Sequence, residues 1–433
     1  MRRVIFWALV CLVPLTAIPY GTFEAWWKAA FVCAVFGICI VAIVEGTISG
    51  STYVGPVSIL LPMLALAGFA FLQTVPLGSI GDPGRTGVQA WHAISADPYQ
   101  TRFFALQILA LTACLALLYR YANDESRMWL LIHVVIAVAV TSAVFGMLRQ
   151  TAQQDGGFLL PLLKQNQGYG QFLNKNHFAY LMEMAFGLGI GLIITRGIGS
   201  DRIVLYVALL FPIWIALVLS NSRGGILAML TQVLIATVWF VRPRVALKAA
   251  LLAGIVAAVL LGALWVGGDR LASNIESATT DFSGDSTRDG ASRNEIWRAT
   301  LKMFAAHPIA GAGFGGYWIA ITAFHDASGS LTPQEAHNEY LELLSSGGLI
   351  GLAIGLWFAV MVVRRVREKL IYDYGRVRAI RLAAILAIAG VVVHSLVDFG
   401  LHMMSNALIF IVLIAIATAS VNKKVIDPGV QHQ

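Results

Sequence analysis

Apolar stretches close to twenty residues long follow one another along nearly the whole sequence, broken by short polar segments. A helix rises about 1.5 Å per residue, so about twenty apolar residues match the roughly 30 Å hydrocarbon core of a bilayer. The pattern predicts helices over 4–20, 26–45, 56–75, 103–121, 128–148, 177–195, 203–221, 225–241, 245–267, 347–363, 379–400 and 403–421. The expected fold is all-α, a polytopic transmembrane helical bundle of about 12 helices with a large helical outer loop before the tenth. Three parts follow: helices one to nine over 1–267, the loop over 268–346, and helices ten to twelve with a tail over 347–433. Val4 to Tyr20 follows Arg2 and Arg3 like a signal sequence, but no small-residue cleavage site comes after it, so it is expected to stay as the first helix.

Composition supports the same solvent. The chain is 58% hydrophobic and 12% charged, against roughly 25% charged residues in soluble domains. The net charge of +7 raises nucleic acid as a partner, but the placement of the basic residues argues against it. With a cytoplasmic N-terminus, most of the 30 basic residues fall in inner segments, with a dense group from Arg364 to Arg381. That is the positive-inside pattern, and it makes anionic membrane lipid the partner of that group. The four cysteines all lie in apolar runs and carry no redox signal.

Outer loops over 76–102, 149–176 and 268–346 are long enough to carry chemistry. Asp269 to Ser292 is rich in Asp, Ser, Thr and Gly, which points to a mobile stretch. After it, Ser292 and Glu295 fit a capping box that starts a helix at Arg293 and ends before His307-Pro308. At about 100° per residue, Trp297, Thr300, Leu301 and Phe304 share the face of Arg293, so a guanidinium in need of an anion sits on an apolar stripe. A second capping box, Thr332 to Glu335, predicts a helix running into the tenth span, with His337, Tyr340, Leu341 and Leu344 on one face. His337 has two readings here: a core histidine bonded to a carbonyl, or a reacting group. The run Gly311-Ala312-Gly313-Phe314-Gly315-Gly316 between the two helices either brings amides to a phosphate or forms a tight turn.

Polar residues also lie at membrane depth. Arg223, in Asn221-Ser222-Arg223-Gly224-Gly225, stands between two apolar runs with almost no loop, and an arginine there marks function or snorkels to headgroups. Asn174 and Asn176, in Asn174-Lys175-Asn176-His177, either hold a diphosphate or sugar or cap the sixth span. His394 and Asp398, one turn apart, are expected to form a structural ion pair.

Taken in order, Phe172 to Ala179, Ser222 to Gly225, Arg293 with Trp297, His307 to Gly313, Ala336 to Leu341 and Gly347-Gly348 resemble the O-antigen ligase and O-antigen polymerase superfamily. The resemblance spans about 165 to 360, and beyond it rests on topology. It implies a metal-independent membrane glycosyltransferase without cofactor, in the bacterial inner membrane with its site facing the periplasm. The implied donor is an undecaprenyl-diphosphate-linked glycan and the acceptor is lipid A core or another glycan. It further implies that His337 acts at the acceptor hydroxyl and that Arg223 and Arg293 hold the diphosphate, with Asn174, Asn176 and Tyr340 as further substrate contacts.

Within the family the expectation is a ligase acting on lipid A core, with an O-antigen or exopolysaccharide polymerase as the alternative. The compact loop Phe324 to Gln334 leaves an open lateral approach and favours the ligase. A lipid-linked glycan flippase or transporter needs polar residues near the bilayer midplane, whereas here they gather at the outer interface. A membrane scaffold leaves inward Arg293 and His337 without a reason, and an ATP-driven pump needs a phosphate loop that the sequence lacks.

Overall fold

The computed structural model describes residues 1–51, 55–80, 91–152, 163, 168–240, 293–325 and 333–421. The apolar runs among them fold as α1 (Arg2–Ala17), α2 (Ala25–Ser49), α3 (Val57–Leu72), α4 (Pro98–Tyr121), α5 (Glu125–Ala152), α6 (Lys175–Ile194), α7 (Ile203–Leu219) and α8 (Arg223–Phe240). The amphipathic stretch gives α9 (Arg293–Ala306), and further along the chain come α10 (Glu339–Tyr372), α11 (Gly375–His394) and α12 (Met404–Thr418). Among the described residues, seven helices are long and apolar enough to cross a membrane: α2, α4, α5, α6, α7 with the 3-10 turn before it, α10 and α11. Helices α3, α8 and α12 are shorter but apolar. The expected span at 245–267, the stretch Asp269 to Ser292 and most of the loop Phe324 to Gln334 lie outside the described residues.

The all-helical expectation has one exception among the described residues. Pro76–Ile80 (β1) and Trp91–Ala93 (β2) pair antiparallel in the first outer loop. Gln73, just before β1, donates to the Ala310 carbonyl at 2.7 Å, and Ala96, just after β2, donates to that of Ala312 at 2.9 Å. The hairpin is thereby tied to the glycine run of the third loop.

Helix α6 is the hub of the bundle. It packs most extensively on α11 and also on α7 and α8. Small residues permit this: a Cβ on Gly187 or Gly191 would lie 2.7 or 2.5 Å from the Cα of Ala387 or Ala383. Such glycine and alanine crossings let backbones approach where no hydrophobic effect between helices is available to drive them together. Gln232 of α8 donates to the Glu183 carbonyl at 3.0 Å and locks the third helix to this pair.

The helices alternate in direction, which sorts the polar residues between two ends. At one end Glu45 accepts from Arg2 at 2.8 Å and from Arg120 and Tyr121 at 2.7 Å. Asp373 accepts from Arg381 at 2.6 Å at the same end, near Arg376 and Glu125. The starts of α6, α8, α10 and α12 and the end of α11 lie together at the other.

Candidate functional site

The segment before α6 is anchored to α5. Arg149, fully buried, donates to the Gly170 carbonyl at 2.9 Å, and Gln171 donates to Ser142 at 2.8 Å. Asn174 then caps α6 by accepting the Asn176 amide at 2.8 Å. This delivers Asn176 and His177 to the end of the bundle as the first turn of α6.

Helix α9 spans Arg293–Ala306 and ends before His307-Pro308 as predicted, while Ser292 of the expected capping box lies outside the described residues. Its buried residues are Ile296, Ala299, Thr300 and Met303. The packed face therefore lies one residue earlier than the expected stripe, and Leu301 is exposed. Arg293 sits at the edge of that face, 31% exposed, and reaches Asp398 at 3.4 Å. Its expected need for an anion is met by a residue on the far side of the chain.

The glycine run is a packing device. All six of its amides are used: Gly311 donates to His307, Ala312 to Ser345, Gly313 to Ser346 and Gly316 to Gly313, at 2.9 to 3.0 Å. Phe314 donates to the Gln73 side chain at 3.3 Å and Gly315 to Thr101 at 2.9 Å. A Cβ on Gly315 would stand 2.4 Å from the Thr101 backbone nitrogen, so the glycine is needed for close approach. No amide remains for a phosphate, and the run is a tight turn.

The second loop helix starts later than expected. Asn338 is the N-cap of α10 and accepts the amides of Tyr340 and Leu341 at 3.0 Å. Two bonds from one side chain outweigh the alternative start at Thr332. His337 is therefore outside the helix, with φ of +48°. A non-glycine residue in that region carries strain of about 1–3 kcal/mol and persists only where its surroundings hold it. Two bonds to the preceding residue do so: Trp297 donates to the Ala336 carbonyl at 3.0 Å, and Glu342 accepts the Ala336 amide at 2.9 Å. The expected stripe of His337, Tyr340 and Leu341 on one helical face does not form. Tyr340 instead donates to the Val392 carbonyl at 2.8 Å.

His337 and Arg293 converge on Asp398. That carboxylate is 1% exposed, accepts the Phe399 amide at 2.9 Å and accepts the Asn176 side-chain amide. His337 Nδ1 lies 3.8 Å from it, outside hydrogen-bond range, and is buried with no hydrogen-bond partner. Burial pushes Asp398 up, but the imidazoles of His337, His177 and His394 outweigh it and hold the carboxyl well below its usual range. Asp398 is thus an anion at neutral pH. Lys175 opens α6 and the exposed Arg223 opens α8 at this same end of the bundle.

The expected pair of His394 with Asp398 is not made. His394 turns inward and bonds Glu183 at 2.7 Å, both fully buried, while Asp398 takes Arg293 and Asn176. Helix α11 stops at His394, and although the Asp398 amide still donates to the His394 carbonyl at 3.1 Å, the two side chains turn to different partners. Phe399 fills the centre, its ring meeting those of His177 and His337 at 4.8 Å and of His402 at 5.6 Å. His402 stands 3.5 and 3.6 Å from Glu339 and Glu342. Burial disfavours its charged form, but Glu342, Glu339 and Glu335 prevail and raise it to about 10.

Of the residues predicted from sequence, His337, Arg293 and Asn176 meet at Asp398, with Arg223 near them. Asn174 and Tyr340 spend their side chains on a cap and a carbonyl. Sequence reasoning gave no role to Asp398 in this cluster, to His402 or to Glu183. The polar residues that follow the eleventh apolar run were the available signal. Among the described residues, no group of three or more His, Cys, Asp or Glu side chains is placed to hold a metal ion.

Seven helices long and apolar enough to cross a membrane, among the described residues, mark a multi-pass membrane protein with a charged cluster gathered at one end. Residues 207–356 match the family model described as O-Antigen ligase, which bears out the resemblance to the O-antigen ligase and polymerase superfamily. The match runs from α7 into α10 and contains Arg223, Arg293, His337 and Tyr340. It supports a membrane glycosyltransferase of ligase or polymerase type in general. No curated protein matches the chain.

Proposed function

We propose that the protein transfers a glycan from undecaprenyl diphosphate to an acceptor hydroxyl on the periplasmic side of the inner membrane, as an O-antigen ligase acting on lipid A core. The observation that carries this is the convergence of His337 and Arg293 on the buried Asp398, beside Arg223. The orientation rests on the basic residues at the opposite end of the bundle, which the positive-inside rule assigns to the cytoplasm.

In this reading the acceptor oxygen bonds the anomeric carbon as the bond from that carbon to the phosphate oxygen breaks. His337 takes the hydroxyl proton. The bonding pair leaves with the diphosphate, and Arg223 and Arg293 stabilise the charge that grows there. Asp398, ionised and 3.8 Å away, stabilises the imidazolium that results and holds Arg293 in place. Asn176 orients Asp398 and acts on substrate only through it, while Asn174 and Tyr340 shape the walls.

The test is reconstitution of purified protein in liposomes with an undecaprenyl-diphosphate glycan and rough lipopolysaccharide. Glycan on lipid A core is the expected product. No transfer to any hydroxyl acceptor, with carrier moved between leaflets instead, would make the protein a flippase.

A further inference from the structure

Helix α8 begins with a pair of glycines pressed between two other helices. A Cβ on Gly225 would lie 2.7 Å from that of Ala179 on α6. A Cβ on Gly224 would lie 2.4 Å from both Cδ2 and Nε2 of His394 at the end of α11, and 2.9 Å from Val397. Arg223 is the residue immediately before this seat. Its approach is fixed from the other side by Asn221 at φ of +58° and by Ser222, whose hydroxyl accepts the Gly225 amide at 3.3 Å.

His394 is unusual as a wall for a glycine. Its ring is locked in the plane by Glu183 at 2.7 Å and stacked on Tyr180 at 4.0 Å with an interplanar angle of 17°. Tyr180 is bonded in turn to Ser395 at 3.2 Å. Two ionisable side chains at zero exposure cost desolvation that a leucine and a methionine of similar volume avoid. What they supply is direction: the bond to Glu183 fixes the rotation of the imidazole, and its edge then sets how closely α8 approaches.

We propose that the buried His394–Glu183 pair is a positioning element that acts through Gly224 to fix Arg223 over the donor diphosphate. The inference rests on the donor reading given above. Neither His394 nor Glu183 touches substrate. Because the ring cannot turn aside, a methyl group at position 224 displaces the start of α8 and carries Arg223 with it. Removing the ring opens the same space again.

The experiment compares Gly224→Ala, His394→Ala and the double variant, with thermal unfolding recorded for each. Binding of undecaprenyl diphosphate is measured in a non-turnover His337→Ala background, and donor and acceptor KM in the active background. Gly224→Ala is expected to weaken donor binding about tenfold, the worth of a single charge-assisted hydrogen bond, with acceptor KM unchanged. The double variant is expected to recover donor binding to about threefold of the parent. Glu183→Gln, which keeps a bond to the ring, should fall between His394→Ala and the parent. Parental donor binding in Gly224→Ala, or no recovery in a folded double variant, overturns the clamp. Should Gly224→Ala fail to fold, an unchanged donor KM in His394→Ala overturns it equally. A parent that binds no undecaprenyl diphosphate overturns the donor reading and the clamp with it.

Discussion

Arg293 reaches Asp398 at 3.4 Å across a sequence separation of 105 residues, joining the loop helix α9 to the break between α11 and α12. The pair is asymmetric: Asp398 is 1% exposed and Arg293 31%. An anion that deep needs the guanidinium more than the guanidinium needs it. Arg293 thus keeps an exposed face, as its proposed contact with the diphosphate requires.

Replacing Asp398 separates these tasks. Asp398→Ala leaves the Asn176 amide and Arg293 without their acceptor and should destabilise the protein by about 1–3 kcal/mol, the cost of buried groups left unpaired. Asp398→Asn keeps an acceptor oxygen but removes the charge, so thermal stability should stay closer to the parent while turnover falls steeply. A fully active Asp398→Asn variant would leave the carboxylate without a part in the reaction.

The backbone of His337 offers a test that separates stability from activity. Its φ of +48° suits glycine. His337→Gly is expected to unfold at or above the temperature of His337→Ala, reflecting about 1 kcal/mol of strain relieved. Both variants should lack transfer activity. Near-normal turnover in either would reduce His337 to a packing residue around Phe399.

Stability should depend on pH at both ends of the scale, with signs set by two groups. His402 has its folded value raised to about 10, so its contribution is complete below about 6.5 and is lost as pH rises toward 10. Asp398 is depressed, so its contribution is present above about 3.9 and is lost as pH falls below that. His402 is partly exposed, and solvent screening makes the alkaline loss the shallower of the two. Melting temperature of the detergent-solubilised protein should fall as pH drops below about 4 and as it rises from about 6.5 toward 10. His402→Gln should lack the alkaline decline, and its persistence in that variant would assign it to another group.

The run of apolar segments made the bundle legible, because period and length are properties of the chain alone. Each expected span that falls on described residues coincides with a helix, shifted by a few residues at the ends except for the tenth, where Glu339–Tyr372 outruns the expected 347–363 at both ends. The site was legible in its residue types and not in its wiring. Helical phase put His337 on a stripe with Tyr340, but Asn338 took two backbone amides and left His337 in a turn. Local spacing paired His394 with Asp398, yet their side chains turn apart and each found a partner more than 100 residues away. Those partners are fixed by how α6, α9 and α11 pack, which no single segment encodes. The glycine run had two readings, and only the bonding of every amide chose between them.

The donor site is expected to work through guanidinium geometry. Arg223→Lys and Arg293→Lys should keep part of the activity and the Ala variants almost none, because lysine offers one point charge where arginine offers a planar fork. A loss of about tenfold or more in donor binding is expected for each Ala variant. Parental donor binding and turnover in both would move the diphosphate elsewhere. Turnover should be unchanged in EDTA, and activity lost there but restored by magnesium or manganese would assign a metal site to acidic residues.

The choice of acceptor is decided by what accumulates without the protein. A ligase and a polymerase would draw on the same donor, so the roles proposed for His337, Arg223 and Arg293 suit either reaction. They differ in what approaches His337 from the acceptor side. Lipid A core arrives laterally as a broad amphiphile, while a polymerase threads a second lipid-linked glycan. In the sequence the segment from Phe324 to Gln334 is short, which favours the lateral route. Deleting the gene should therefore leave undecaprenyl-linked polymer of normal length and bare lipid A core, seen as a ladder that disappears from lipopolysaccharide but persists on the carrier. Expression of the parent chain should restore the ladder, and the His337→Ala chain should not. Accumulation of single repeat units on the carrier, with core still able to accept them, would reassign the protein as a polymerase while leaving its donor chemistry intact.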